Sequence, residues 1–499
     1  MAFEFLKSKP TEKLNPRDFI IMGSAVLLCL AIYLITAKAT YAIGFPLDDS
    51  WIHQTYARNF AANGEWVYRP GIRSAGSTSP LWTLLLVPGY LIHVSPYFWT
   101  FSIGAVFLFA LAILFESTAR NLLAAYRPVI PWIGVYIIFA WQLSWSAVSG
   151  METIGHAFLV TLVLILLLKG SRAYVQFGLL VGLSIWNRPD GITLIGPILM
   201  VMLINSSGIR YLTHDLGLFV IGFASLFVPY LLFNLYLDGT PWPNTFYAKQ
   251  AEYAAWQSTS IINKTGLGLL QFLVGSGFLL VPGVVSYVYK SYKRRSREVL
   301  SVVLWMIGYM ILYISRLPPY QHGRYLIPAM PIFFLVGFFG LIEFIKSDQF
   351  GHRHWMVQAT WIASLAAVGI LFVIIGAQSY AQDVSIIESE MVKTARWADA
   401  NLPGNTLIAA HDIGALGFFD DHAILDLAGL ISPDVIPFIR DEPKLADYMD
   451  LHGADYLIAF PEFYPVLTRN LKIVYSTASP FAPSYGAENM AIYRWGSSK

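Results

Sequence analysis

One cysteine, Cys29, stands among 499 residues, and it lies inside an apolar run. Neither a disulfide within the chain nor a cysteine-based zinc site can be built from it. Charge is scarce as well. Asp, Glu, Lys and Arg make up 13% of the chain, against about 25% in an average soluble protein. The net charge of +2 lacks the basic excess of a nucleic-acid binder. There is no P-loop, no G-x-S-x-G, no G-x-G-x-x-G, no H-E-x-x-H and no D-x-D. Those absences remove the usual ATPase, hydrolase, dinucleotide and zinc-protease readings. No internal repeat or low-complexity linker occurs either.

Apolar residues are what the chain has in plenty: 56% of it is hydrophobic, with mean hydropathy +0.55. This composition describes an integral membrane protein, with the lipid bilayer as its first partner. Apolar runs punctuated by Pro, Gly and charge predict eleven spans, near 18–37, 97–118, 129–147, 151–168, 174–187, 191–205, 216–237, 266–288, 299–314, 325–345 and 356–377. The first follows Lys7, Lys9, Lys13 and Arg17, and Lys38 interrupts the small-residue stretch after it, so it reads as an uncleaved span. The run 80–94 is too short to cross and reads as a helix at the outer interface, anchored by Trp82 and Tyr90.

With the N-terminus cytoplasmic, inner segments hold 16 Lys and Arg, including the run Lys290, Lys293, Arg294, Arg295 and Arg297 and the pair Lys346 and Arg353. Outer segments before residue 380 hold 9. The positive-inside bias supports that orientation, in a cell (inner or cytoplasmic) membrane. After Ala377 the composition changes: the last 120 residues carry 16 of the 31 acidic side chains. Short runs at 406–411, 423–426 and 455–460 read as buried strands, alternating with helices near 386–400 and 443–452. The expected organisation is a transmembrane domain over 1–379, with an outer loop at 41–96, and an extracytoplasmic α/β domain over 380–499.

Polarity concentrates in the segments predicted to face outward. These contain Asp48-Asp49-Ser50, Ser149 to Thr153 with Glu152, Asn187 to Gly191 with Arg188 and Asp190, Pro243 to Lys249 with Tyr247, and Gln321 to Tyr325 with His322 and Arg324. Inner loops are short, basic and otherwise bland. Ionisable residues at membrane depth are functional candidates by default. Mixed-sign, aromatic-rich clusters on one face predict a site for an anionic ligand with a lipid tail. Each cluster also has a structural alternative. Asp49 or Ser50 could cap the helix that Gly64 ends, although a cap needs one acidic group, not two. Arg188 and Asp190 could form an interfacial salt bridge around Pro189. Glu152 could cap a helix, Tyr247 and Lys249 could be interfacial anchors, and His53 reads as an ordinary helix residue. Two basic groups outside, His322 and Arg324, run against the charge bias and favour function. His411, Asp412 and Asp426 end predicted strands and are candidate acceptor contacts, with helix capping the alternative for Asp412. Paired carboxylates with histidine are compatible with a divalent cation, Mg²⁺, Mn²⁺ or Ca²⁺, which stays an open alternative.

An acidic pair opening a helix in the first outer loop, followed by Ser79-Pro80-Leu81-Trp82, resembles the GT-C membrane glycosyltransferases. The ordered set from Leu47-Asp48-Asp49 through Tyr56-Ala57-Arg58-Asn59, Ser149-Gly-Met-Glu-Thr153, Arg188-Pro-Asp-Gly191, Pro243-Asn-Thr-Phe-Tyr-Ala-Lys249, His322-Gly-Arg-Tyr-Leu-Ile-Pro328, His411-Asp-Ile-Gly414 and Leu425 to Leu430 is narrower. It is similar to bacterial proteins near the mycobacterial terminal arabinofuranosyltransferases, over about residues 40 to 435. The resemblance implies a polyprenyl-phosphate sugar donor and transfer, with inversion, to an extracytoplasmic glycan, lipid or protein acceptor. It implies Asp48 as general base, with Asp49 supporting it or holding a metal. Arg324 and His322, with Lys249 or Arg188, would stabilise the leaving phosphate, and Arg58 would reach it from its helix. Glu152, Tyr247, His411 and Asp412 would then contact acceptor. The pair departs from the acidic-then-Glu pattern of protein mannosyltransferases and aminoarabinose transferases, so their acceptors do not carry over.

Three other readings remain: a flippase for a lipid-linked saccharide, a lipid-diphosphate oligosaccharide polymerase or ligase, and a membrane-anchored binding protein. A flippase predicts mid-membrane polarity and broken spans. A binding protein leaves Asp48-Asp49 and His322/Arg324 without a purpose.

Overall fold

Helices dominate the computed structural model, which describes residues 13–123, 126–345 and 354–496. Lys7, Lys9, Lys346 and Arg353 of the charge count lie outside them. The chain starts with α1 (Pro16–Thr40), opened by Pro16 at its first position and by a capping box in which Asn15 and Asp18 satisfy each other's ends. Next come α2 (Asp49–Asn63), the ribbon β1 (Val67–Arg69) and β2 (Ile72–Arg73), α3 (Pro80–Leu91) and α4 (Pro96–Leu122). Then follow α5 (Trp132–Phe139), α6 (Trp141–Ala147), α7 (Thr153–Leu168), α8 (Tyr174–Asn187), α9 (Ile195–Asn205), α10 (Ile209–Asp238) and α11 (Asn244–Glu252). The remaining membrane-domain helices are α12 (Ile261–Leu273), α13 (Gly277–Arg294), α14 (Arg297–Arg316), the short α15 (Tyr320–Gly323), α16 (Met330–Ile345) and α17 (His354–Ile386).

Among the described residues, six helical stretches are long and apolar enough to cross a bilayer, or seven if the bent pair α12 and α13 is one span. The other expected spans are broken, bent or shorter helices. The predicted span 129–147 breaks at Ala140, where ψ turns to 107°, and Ser144 satisfies a freed carbonyl by donating to Ile138 at 2.7 Å. The predicted span 266–288 bends by 100° between α12 and α13. The predicted spans 151–168 and 191–205 form shorter apolar helices. Helix α3 packs against α2 as an interface helix would, but Trp82 is no anchor. Its ring is 1% exposed, and its indole N–H donates to the Gly150 carbonyl at 3.0 Å.

Helix α17 passes residue 380 without a break, through a π-helical turn (Ile387–Val392) into α18 (Lys393–Asn401). Beyond it lie β3 (Leu407–Ala410), α19 (Gly414–Phe419), β4 (Ala423–Asp426), α20 (Glu442–His452), β5 (Tyr456–Ala459), β6 (Lys472–Ser476) and β7 (Ala491–Arg494). They build a five-stranded sheet in the order β4-β3-β5-β7-β6. Strands β4, β3 and β5 run parallel, with Ala410 beside Asp426 and Ile458, while β7 pairs antiparallel with β5 and β6. The carboxyl ends of β3 and β4 carry His411, Asp412 and Asp426, and the loop after β3 meets the start of α2.

Candidate active site

Helix α2 begins at the acidic pair and stops at Gly64, whose φ of +69° ends it in a left-handed cap. Neither Asp49 nor Ser50 caps it. Asp48 is the N-cap residue but makes no capping bond, and the Ser50 hydroxyl donates to the Ser149 carbonyl at 2.8 Å. The two carboxylates point to different partners. Asp48 Oδ2 accepts from the Gly414 amide at 2.6 Å and Oδ1 from the Ala415 amide at 2.7 Å. Gly414 permits this approach: a Cβ there would lie 2.0 Å from the Asp48 carbonyl oxygen. Asp49 Oδ2 instead accepts from Arg324 Nη2 at 2.6 Å and from Lys249 Nζ at 3.4 Å.

These surroundings set the charges. Burial, and then the Asp412 carboxylate, push the Asp48 carboxyl up to about 7 against the pull of the two amides. For Asp49, burial works upward too, but Lys249 and Arg324 outweigh it and hold the group well below the usual carboxylate range. Lys249 titrates higher than usual because Asp49 and the Tyr325 ring beside it outweigh its burial.

Arg324 and Lys249 stand on the wall of a cavity of about 270 Å³, shared with Glu152, Arg188, Tyr313 and Tyr325. Arg188 is 5% exposed and tightly placed. Its Nε lies 3.1 Å from Asp190, and its Nη2 donates to the Tyr313 hydroxyl at 3.0 Å. Asp190 in turn accepts from the Tyr309 and Tyr313 hydroxyls at 2.5 and 2.6 Å. The salt-bridge and ligand readings of Arg188 are thus compatible, because the bridge holds the guanidinium at the wall. Beyond α14 a second, apolar cavity of about 790 Å³ opens among α12, α13 and α14, lined by Phe272, Val303, Met306, Met310, Ile314 and Phe333.

A family model described as a domain of unknown function (DUF8728) matches residues 375–493, the end of α17 and the α/β domain. No curated protein matches the chain. Among solved structures, ArnT from Cupriavidus metallidurans bound to undecaprenyl phosphate superposes with a TM-score of 0.60 at 15% identity, covering 97% of this chain and 99% of that one. The apo form of that protein gives 0.60 at 16% identity, covering 96% and 98%. Archaeal oligosaccharyltransferase AglB from Archaeoglobus fulgidus, in complex with an inhibitory peptide and a dolichol-phosphate, gives 0.57 at 11% identity, covering 89% of this chain and 69% of that one. The fold is GT-C.

Within this GT-C fold Arg324, Lys249, Arg188 and Glu152 line the cavity, Asp48, Asp49, His411 and Asp412 lie beyond that lining, and three more candidates are turned elsewhere. His322 turns the other way. Gln321 and His322 both adopt left-handed backbone, at φ of +51° and +58°, and this sends the imidazole to Asp383 of α17 at 2.8 Å, edge-on to Trp141 and Trp145. Arg58 is a docking residue. It donates to the Phe418 carbonyl at 2.7 Å and to that of Gly417 at 3.4 Å, and so satisfies the end of α19. Tyr247 packs edge-on against Phe246, and Phe246 rather than Tyr247 lines the cavity.

At the seam with the α/β domain, His411 Nδ1 pairs with the Tyr464 hydroxyl at 2.8 Å, and Nε2 lies 3.5 Å from Glu252. Burial lowers the His411 pKa, but Glu252 and Asp412 outweigh it and raise the group above its ordinary value. Asp412 rises to about 6, because burial, Glu252 and Asp49 together exceed the pull of His411. Asp426 serves its own loop, accepting the amides of Ala428, Leu430 and Ile431. Among the described residues no group of three or more His, Cys, Asp or Glu side chains is arranged to hold a metal ion; the carboxylates at α2 are engaged by amides and cations instead. His53, read as an ordinary helix residue, stands against a candidate. It is 3% exposed and lies 3.6 Å from Glu152, and its spacing of one helical turn from Asp49 was the available signal.

Proposed function

We propose that this protein is a membrane glycosyltransferase that moves a sugar from a polyprenyl-phosphate donor to an extracytoplasmic glycan, lipid or protein acceptor, with inversion at the anomeric carbon. The observation that carries the reading is the cavity wall of Arg324, Lys249 and Arg188 set directly beside the acidic pair. The GT-C fold supports it, since neighbours of this fold were captured with undecaprenyl phosphate and a dolichol-phosphate. On its ordered motifs we place the chain near the mycobacterial terminal arabinofuranosyltransferase-like group.

Asp48 removes the acceptor hydroxyl proton, and the oxygen attacks the anomeric carbon from the face opposite the phosphate. The bond from that carbon to the phosphate oxygen breaks, and polyprenyl phosphate leaves with the electron pair. The cations of the wall stabilise that developing charge, where preorganised donors act most strongly. Asp49 holds Arg324 and Lys249 in position rather than acting as base, because its proton affinity is too low. The polyprenyl tail lies in the apolar cavity, reached around α14, which turns Tyr313 to one cavity and Ile314 to the other. The site and the α/β domain face outward and the N-terminus lies in the cytoplasm.

The test is transfer of labelled sugar from polyprenyl-phosphate pentoses and hexoses by membranes carrying equal amounts of wild type, Asp48→Asn and Asp49→Asn. Transfer by wild type, with loss in Asp48→Asn of roughly 10²–10⁴, is expected. The 100° bend between α12 and α13 is the observation that favours a flippase instead. If wild type consumes no donor but carries lipid-linked sugar across vesicle membranes, that second reading replaces the first.

A further inference from the structure

Of the carboxylates at the cavity, Asp48 is engaged by amides, Asp49 by cations, and Asp190 by Arg188 and two tyrosine hydroxyls. Glu152 is held at longer range. Its Oε1 lies 3.5 Å from Arg188 Nη1, and its Oε2 lies 3.6 Å from His53 Nε2. Oε2 meets no hydrogen-bond donor among the described residues, although the side chain is buried. A buried acceptor without a donor is costly, and more so when charged. Arg324 shows the complementary lack: its Nη1 meets no acceptor among the described residues. Both residues line the same cavity. An acceptor held only at long range and a cationic donor with spare capacity, on residues of one wall, fit a ligand that carries a hydroxyl beside an anionic oxygen.

Glu152 is also held rigidly enough to discriminate. Gly150 takes φ +80°, and a Cβ there would strike Phe45 at 2.6 Å and Ser50 at 2.9 Å, so the loop sits tight against α2. Behind the carboxylate, His53 Nδ1 is fixed by the Thr83 hydroxyl at 2.9 Å. His411 and Asp412, the acceptor candidates of the α/β domain, stand outside this wall.

We propose that Glu152 reads a ring hydroxyl of the sugar on the polyprenyl-phosphate donor, as a specificity-determining residue on the donor side rather than an acceptor contact. The proposal rests on the glycosyltransferase reading above. A site built to pair with a hydroxyl rejects a partner that lacks it, because its own polar group is then left bare.

The experiment is equilibrium binding in nanodiscs, without acceptor, of three probes with matched tails: bare polyprenyl phosphate, its pentose ester and its hexose ester. Wild type is expected to bind one sugar-bearing lipid more tightly than the bare one. Glu152→Ala should weaken that lipid roughly ten- to a hundredfold while leaving bare polyprenyl phosphate within about twofold of wild type. Glu152→Gln keeps the volume and one acceptor oxygen, and should show the same selective loss in smaller degree; it decides the matter if the alanine variant does not fold. Equal weakening of bare and sugar-bearing lipids would overturn the proposal and leave Glu152 a support for Arg188. Selective sugar binding by wild type that survives both substitutions would also overturn it, with the glycosyltransferase reading intact. Binding of none of the three lipids by wild type would overturn both.

Discussion

At adjacent positions, Asp48 and Asp49 meet opposite surroundings, two backbone amides for one and two cations for the other. The difference has a measurable sign. Asp48 sits near 7, so it is protonated below that pH and ionised above it, and a base must be ionised. Transfer by wild type is therefore expected to climb as pH rises through about 7 and then level off. In Asp48→Asn that limb should vanish together with the rate, and a pH–rate profile of both proteins checks it. His322 and Arg324 stood out in the sequence as basic groups against the charge bias, and Lys249 and Arg58 through the motifs that hold them. Arg324 and Lys249 stand on the cavity wall. The partners of His322 and Arg58, Asp383 and the carbonyls of α19, lie 61 and about 360 positions away. Nothing local marks such pairings.

Elements were legible where local chemistry decides them. Gly64 ends α2, and β3, β4 and β5 fall within the short apolar runs read as strands. Strands β6 and β7 escaped: β6 is a largely exposed edge strand, and β7 holds only three apolar residues, Ala491, Ile492 and Tyr493, before Arg494. Breaks inside an apolar run, as at Ala140, are not legible in hydropathy, which reports composition and not continuity. The contact between α2 and α19 belongs to this scale as well. Gly414→Ala places a methyl carbon against the Asp48 backbone, and a backbone cannot retreat as a flexible side chain does. The substitution is expected to cost about 1–3 kcal/mol and to loosen the α/β domain from α2. Faster limited proteolysis between residues 401 and 423, with the membrane helices still folded, is the expected result.

Across the whole molecule, polarity is not confined to one face. Inner loops read as bland, but at the far end of α4 Arg120 bonds Asp18 at 3.0 Å and Glu116 at 2.8 Å, and Tyr126 and the Gly134 amide complete the Glu116 shell. This buried knot ties α1, α4 and α5 together about 35 Å from Tyr97 at the other end of the same helix. Arg120→Met leaves two buried carboxylates without their cation and is expected to destabilise by roughly 3–5 kcal/mol. Melting in detergent should fall, while transfer per folded molecule stays unchanged. The amides that hold Asp48 come from positions 366 and 367 residues later in the chain. At about 5–20 residues per second, a ribosome makes the second half of that contact roughly 20–70 s after the first. Throughout that interval the acidic pair has no α19 amides to meet, so the contact between α2 and the C-terminal sheet is among the last that the chain can make.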